Sequence, residues 1–226
     1  MANLHQCMLL QQLGYVQSAT RMINNSILPN VANDDGVTPM HLAACKNHIG
    51  MVQLLMANVE NPNAPNDVGN TPIHAAAFLG FLEVVRLLIT STINPNIANN
   101  GGVTPIHCAA NGEHIEIIIL LMISNNNPNV ADNNGHTAIH YAASRGNIEI
   151  VRLLMNSTNN PNVASNDGLS PIHCAAFNGH IEVVRLLMTS TNNPNVPDNF
   201  GRTPEHLASQ YGHHDTVELL KNPFHL

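Results

Sequence analysis

Residues 148–155 read as a short helix that is apolar nearly all round. Ile148, Ile150, Val151, Leu153, Leu154 and Met155 leave only Glu149, Arg152 and Asn156 to form an outward polar stripe. Such a helix needs apolar neighbours on more than one side, and at this length it is marginal in water by itself. A second predicted helix stands ahead of it. Thr137 is placed to cap its first turn, Ala142 and Ala143 are small enough to let another helix close in, and Gly146 ends it. In other copies Pro39, Pro72, Pro105, Pro171 and Pro204 take the first helical position, where a missing N–H costs nothing. The capping residue recurs at Thr38, Thr71, Thr104, Thr137, Ser170 and Thr203, a step of 33 residues each time. Gly36, Gly69, Gly102, Gly135, Gly168 and Gly201 keep that step, as do His41, His74, His107, His140, His173 and His206. A fixed step of this size describes stacked units, each too small to bury its own apolar face.

Glu83/Arg86, Glu149/Arg152 and Glu182/Arg185 stand three apart on the outward stripe. Such pairs contribute roughly 0.2–0.5 kcal/mol each, against roughly 1.5–3 kcal/mol for one buried Leu or Ile side chain. Burial therefore decides the fold. After the second helix the runs Ser157 to Asn162 and Ser190 to Asn195 are rich in asparagine, which can take the left-handed conformation that glycine usually supplies, so an Asn C-cap is expected. Pro62, Pro95, Pro128, Pro161 and Pro194 each remove a backbone donor, so extended loops with little formal sheet are expected. Glu113 replaces the glycine between the helices of one repeat, which predicts an irregular turn, and Ile119 replaces an outward Arg.

The phrase Gly-x-Thr-Pro-Ile-His-x-Ala-Ala followed by Gly-His-Ile-Glu-Val-Val-Arg-Leu-Leu, clearest over residues 166–188, resembles the ankyrin repeat, although the asparagine-rich loop departs from the family's usual Gly-Ala-Asp. The resemblance implies an all-α solenoid of helix-turn-helix units joined by extended, hairpin-like loops. It covers nearly the whole chain as a single domain. Residues 1–35 read as a degenerate N-terminal capping repeat, 36–200 as five full repeats and 201–226 as a C-terminal capping repeat, with Glu205 and Ser209 polar where other copies stack Ile and Ala. The chain is expected to be a complete domain and a monomer.

Composition narrows the function classes. The net charge is −7 with no Lys/Arg run, which disfavours nucleic acid or an acidic membrane as ligand. The N-terminus lacks a basic start with an apolar run, and the longest apolar stretch, Ile117 to Ile123, is far short of the ~20 residues that span a bilayer. Cys7, Cys45, Cys108 and Cys174 are scattered, and Cys108 and Cys174 sit two repeats apart, so reduced thiols and a cytoplasmic or nuclear location are expected. Six of the fourteen His residues belong to the Thr-Pro-x-His phrase, which the resemblance makes structural, and His48, His114, His180 and His213 fill the Gly-His site. No metal site is expected from so periodic an array. A nucleophile elbow, a phosphate loop and paired carboxylates are all missing from the sequence. No enzyme activity and no cofactor are expected.

What the resemblance implies instead is recognition of another protein or peptide segment by loop tips and the exposed side of the first helix, lining a concave groove. Carried over by repeat position, the candidate partner-binding residues are Val68, Phe78, Leu79, Leu169, Phe177, Phe200, Arg202 and Tyr211. Val37 joins Val68, Phe78 and Leu79 in an N-terminal apolar cluster, and Leu169, Phe177, Phe200 and Tyr211 form a C-terminal one. An extended or helical segment bridging the two is expected, apolar at its anchors and basic at its flanks to suit Asp34, Asp35, Asp67 and Asp167. An adaptor, scaffold or inhibitor fits this reading. The alternatives are an adaptor that recruits substrates to a modifying enzyme, or a chain that is itself hydroxylated at Asn63, Asn96, Asn129, Asn162 and Asn195, positions that resemble asparaginyl hydroxylase sites in ankyrin proteins.

Overall fold

The computed structural model describes residues 31–91, 94–124 and 127–222. The degenerate repeat expected over 1–35 therefore lies outside the described residues, save for its last few. Among the described residues the chain forms twelve helices and no strand. They are α1 (Pro39–Cys45), α2 (Ile49–Met56), α3 (Pro72–Leu79), α4 (Leu82–Ile89), α5 (Pro105–Asn111) and α6 (Ile115–Ile123), followed by α7 (Ala138–Arg145), α8 (Ile148–Met155), α9 (Pro171–Phe177), α10 (Ile181–Met188), α11 (Pro204–Gln210) and α12 (His214–Lys221).

Two compact units divide at Cys108 and Ala109, within α5. In unit 1, α1 packs on α2 and α3 on α4, while α1 meets α3 and α2 meets α4. Met40, Leu55, Ile73 and Leu88 are fully buried between them. In unit 2 the same rule holds: α7, α9 and α11 stack in sequence, α8, α10 and α12 stack beside them, and each first helix packs on its own second helix. Ile139, Ile150, Leu154 and Ile172 fill that interior, and Ala142, Ala143, Ala175 and Ala176 are buried where first helices approach closely.

The Thr-Pro-x-His phrase closes this geometry twice. The backbone amides of Thr38, Thr71, Thr137 and Ser170 donate to the His Nδ1 three residues on, at 3.1, 3.0, 3.0 and 3.0 Å. A nitrogen that accepts an N–H carries no proton, so the proton sits on Nε2. From there it reaches the next repeat: His41 donates to the Asn70 carbonyl at 2.8 Å, His74 to Val103 at 3.0 Å, His140 to Leu169 at 3.0 Å and His173 to Arg202 at 3.1 Å. Burial is the main cause that lowers the His41, His74 and His173 pKa values, with His74 down to about 4, against the raising effect of those carbonyls.

Two local expectations are corrected. Second helices do not end on a left-handed Asn: Thr90, Asn156 and Thr189 cap α4, α8 and α10 in the right-handed region. Hydroxyls do the capping instead. Thr90 donates to the Leu87 carbonyl at 2.7 Å, Ser157 to Leu154 at 2.6 Å and Ser190 to Leu187 at 2.7 Å. The loop asparagines serve the neighbouring repeat, with the Asn195 carboxamide accepting from the Glu205 amide at 3.3 Å and donating to the Leu220 carbonyl at 3.0 Å. The turn at Glu113 is also regular. Glu113 takes φ +66°, the left-handed conformation that Gly146 and Gly179 adopt at the same repeat position. Those two glycines are further constrained, because an added Cβ would meet the ring of His180 at 2.5 Å or of His213 at 2.4 Å.

Candidate functional site

Three rows of side chains run along the first-helix side of the repeats. The loop tips form the first. In unit 2 the Asn166 amide donates to the Asn134 carbonyl at 2.9 Å and its carboxamide to the Asn133 carbonyl at 2.9 Å; Asn199 does the same to Asp167 and Asn166 at 3.0 and 2.8 Å. In unit 1 Asn100 repeats the pattern on Val68 and Asp67 at 3.1 and 3.0 Å. Asp67 stands at the same repeat position and bonds back to the preceding tip through its backbone amide, to the Asp35 carbonyl at 3.2 Å, since a carboxylate has no N–H to donate. These asparagines are the rungs that hold neighbouring tips together.

The second row lies between the tip and the first helix. Val37 is 8% exposed, so it cannot belong to an apolar contact cluster as expected. Leu169 is half-buried, as is Val68, which belongs to the tip at the repeat position of Phe200. Arg202 is exposed, and two of its guanidinium nitrogens donate to Asp198 Oδ2 at 2.8 and 2.7 Å while its cation stands 4.9 Å from the Phe200 ring centre. Burial would raise the Asp198 carboxyl, but Arg202 and the amides of Arg202 and Phe200 outweigh it and hold the pKa below its ordinary value. Asp132 is the same residue two repeats earlier, buried, with His136 Nδ1 at 3.7 Å and the Tyr141 hydroxyl donating to it at 2.8 Å. Sequence reasoning missed both carboxylates, although a signal existed. Asp occurs at this repeat position only where the residue four on is His136 or Arg202; Asn33, Asn66, Asn99 and Ser165 face Val37, Asn70, Val103 and Leu169.

The third row is at the C-terminal ends of the first helices. Phe78 and Leu79 end α3 half-buried. In unit 2 Phe177 ends α9, Tyr211 follows α11, and they are 40% and 50% exposed with ring centres 4.2 Å apart. Phe200 is 70% exposed but belongs to the tip. Each expected cluster is therefore divided. Val68 and Phe200 stand before the first turn of a helix, whereas Phe78, Leu79 and Phe177 stand in the last turn and Tyr211 just after it, about 10 Å along the axis at 1.5 Å per residue. The structure assembles two pairs, Phe177 with Tyr211 and Phe200 with Arg202.

The ring nitrogens of His173 face Ser170 and Arg202, not the neighbouring thiol, and burial pushes Cys174 up to about 12. Among the described residues no group of three or more His, Cys, Asp or Glu is placed to hold a metal ion, and no helix is long and apolar enough to cross a membrane.

The family model for Ankyrin repeats (3 copies) matches residues 4–99, 93–165 and 157–225. The chain is an ankyrin-repeat protein. Ankyrin repeats are generally protein–protein interaction modules, which fits a framework of periodic His, Gly and Ala residues carrying variable side chains between them. A search of curated proteins finds none that matches the chain.

Proposed function

We propose that this ankyrin-repeat protein is a non-enzymatic adaptor, scaffold or inhibitor that grips a partner protein or peptide segment on the first-helix side of its repeats. The observation that carries the reading is the Phe177–Tyr211 pair, two large aromatic rings in contact and each about half exposed. Aromatic residues that are exposed and clustered are the usual energetic centres of interfaces, where single truncations cost ~2 kcal/mol or more. Phe200 and Arg202 supply a second anchor, and Leu169 lies half-buried in the row between. Val68, Phe78 and Leu79 offer a shallower contact in unit 1, where Asp34, Asp35 and Asp67 favour basic residues on the partner. The net charge of −7 supports a protein rather than nucleic acid as partner, and the wide scatter of the four cysteines along the chain agrees with a reducing, cytoplasmic or nuclear setting.

The test is affinity capture with the whole chain against the double variant Phe177→Ala with Tyr211→Ala, both with unchanged thermal melts. Partners held by this site drop at least tenfold in the variant. Equal recovery in both would place the interface elsewhere.

A further inference from the structure

In unit 2 the ends of the first helices are joined by a ladder with a constant offset of 34 residues. Arg145 Nε donates to Asn111 Oδ1 at 2.9 Å, Asn178 Nδ2 donates to Ser144 Oγ at 3.2 Å, and Tyr211 meets Phe177 ring to ring at 4.2 Å. Each side chain reaches back to the repeat before it, so the three contacts form one continuous strip. His180 and His213 support it from beneath, donating to the carbonyls of Ser144 and Phe177, each at 3.1 Å. Ser144, Arg145, Phe177, Asn178 and Tyr211 are all exposed. The chemistry changes along the strip from a guanidinium at one end, through hydroxyl and carboxamide, to an aromatic pair at the other.

We propose that this strip binds an extended peptide segment with a carboxylate on Arg145 and a large apolar side chain on the Phe177–Tyr211 pair, five or six residues apart. This rests on the reading that the first-helix side of unit 2 is the partner face. Charge complementarity selects the acidic end. Arg145 is exposed and held through Nε by Asn111, and its outer N–H groups form the planar fork that carboxylates fit. Among the described residues no carboxylate pairs with it. Glu113, the closest acidic residue in repeat register, has the Asn147 carboxamide at 3.5 Å. Arg202, the other guanidinium on this side of unit 2, is already neutralised by buried Asp198. Glu182 and Arg185 pair with each other on a second helix.

The spacing follows from packing. Neighbouring helices lie roughly 8–10 Å apart, so the first and third rungs are separated by roughly 16–20 Å. An extended chain advances ~3.3 Å per residue and covers that span in five or six residues. At the middle rung Asn178 spends its Nδ2 on Ser144 and the Cys174 carbonyl, so its Oδ1 can accept an N–H of the bound segment.

The experiment uses the whole chain and fluorescence anisotropy with pools of fluorescein-labelled decapeptides. Each pool has glutamate near one end, leucine, phenylalanine or tryptophan five or six residues away in either orientation, and serine or alanine elsewhere. Control pools carry lysine or glutamine in place of glutamate. The glutamate pool binds at least tenfold more tightly than the lysine pool at low salt, and Arg145→Glu reverses that preference. Phe177→Ala with Tyr211→Ala weakens every pool at least tenfold. Thermal melts by circular dichroism check that the variants are folded. A charge preference that Arg145→Glu does not alter, a wild-type preference for lysine, or no binding by any pool overturns the proposal. If Arg145→Glu has no effect while the aromatic double variant still abolishes binding, the partner-face reading stands and the acidic end alone fails. If the double variant leaves binding intact, that reading fails with it.

Discussion

Phe78 and Phe177 occupy the same position three repeats apart, each near the end of a first helix, yet Phe78 is half-buried and Phe177 is exposed against Tyr211. The loop tips differ in the same way. Unit 1 presents the carboxylates Asp34, Asp35 and Asp67, with a side-chain rung only at Asn100. Unit 2 presents the asparagine ladder through Asn166 and Asn199, with one exposed carboxylate at Asp167. The framework beneath is the same in both, with a capping Thr or Ser, a His bridging to the next repeat, and paired alanines. The lesson is that periodic residues decide whether a repeat stacks, while the few aperiodic ones decide what its surface can hold. Unit 1 is the acidic, recessed surface. Unit 2 is the aromatic one, with a cation left unpaired at its edge.

The equivalence of the two frameworks can be broken most strongly in the core. Ile73 and Ile172 share a repeat position and are both buried, so Ile73→Ala and Ile172→Ala each cost about 2–5 kcal/mol, and by similar amounts. Urea unfolding followed by circular dichroism measures both, and a cost more than twofold larger in one unit would show that the repeats are not equally packed. Acid comes next. His41 and His74 in unit 1 and His173 in unit 2 have pKa values lowered by burial, so the unfolded chain binds more protons than the folded one as pH falls. Their contribution is whole above the ordinary His value of ~6.5 and is lost as pH drops towards the folded values, about 4 for His74. Urea midpoints should therefore decline from pH 7 to pH 4, and a flat profile would contradict the buried, Nε2-protonated arrangement. The smallest effect sharpens the contrast at the tips. Asp67→Asn gives unit 1 the missing donor, aimed at the Asp34 carbonyl as Asn100 is aimed at Asp67, and removes one of three clustered charges. A gain of about 0.5–1.5 kcal/mol is expected, read from the urea midpoint, and no gain would mean that the ladder does not stabilise the tips.

Much of this was legible in the residues alone. The 33-residue step, the Thr cap, the Pro at the first helical position and the apolar second helix determined where helices begin, which faces are buried and that the repeats must stack, because these depend on local propensity and on the period of apolar side chains. The exposed positions of Phe177, Phe200 and Tyr211 were legible for the same reason, as departures from the period. Only the tertiary structure decided which of them meet. Phe177 touches Tyr211 because each first-helix end reaches back 34 residues, and Phe200 stays with Arg202 because buried Asp198 holds that guanidinium in place. It also decided that Glu113 takes a glycine's backbone and that the tip asparagines bond between repeats. Those outcomes depend on where a side chain of one repeat lies relative to a carbonyl of the next, a distance that no spacing along the chain contains.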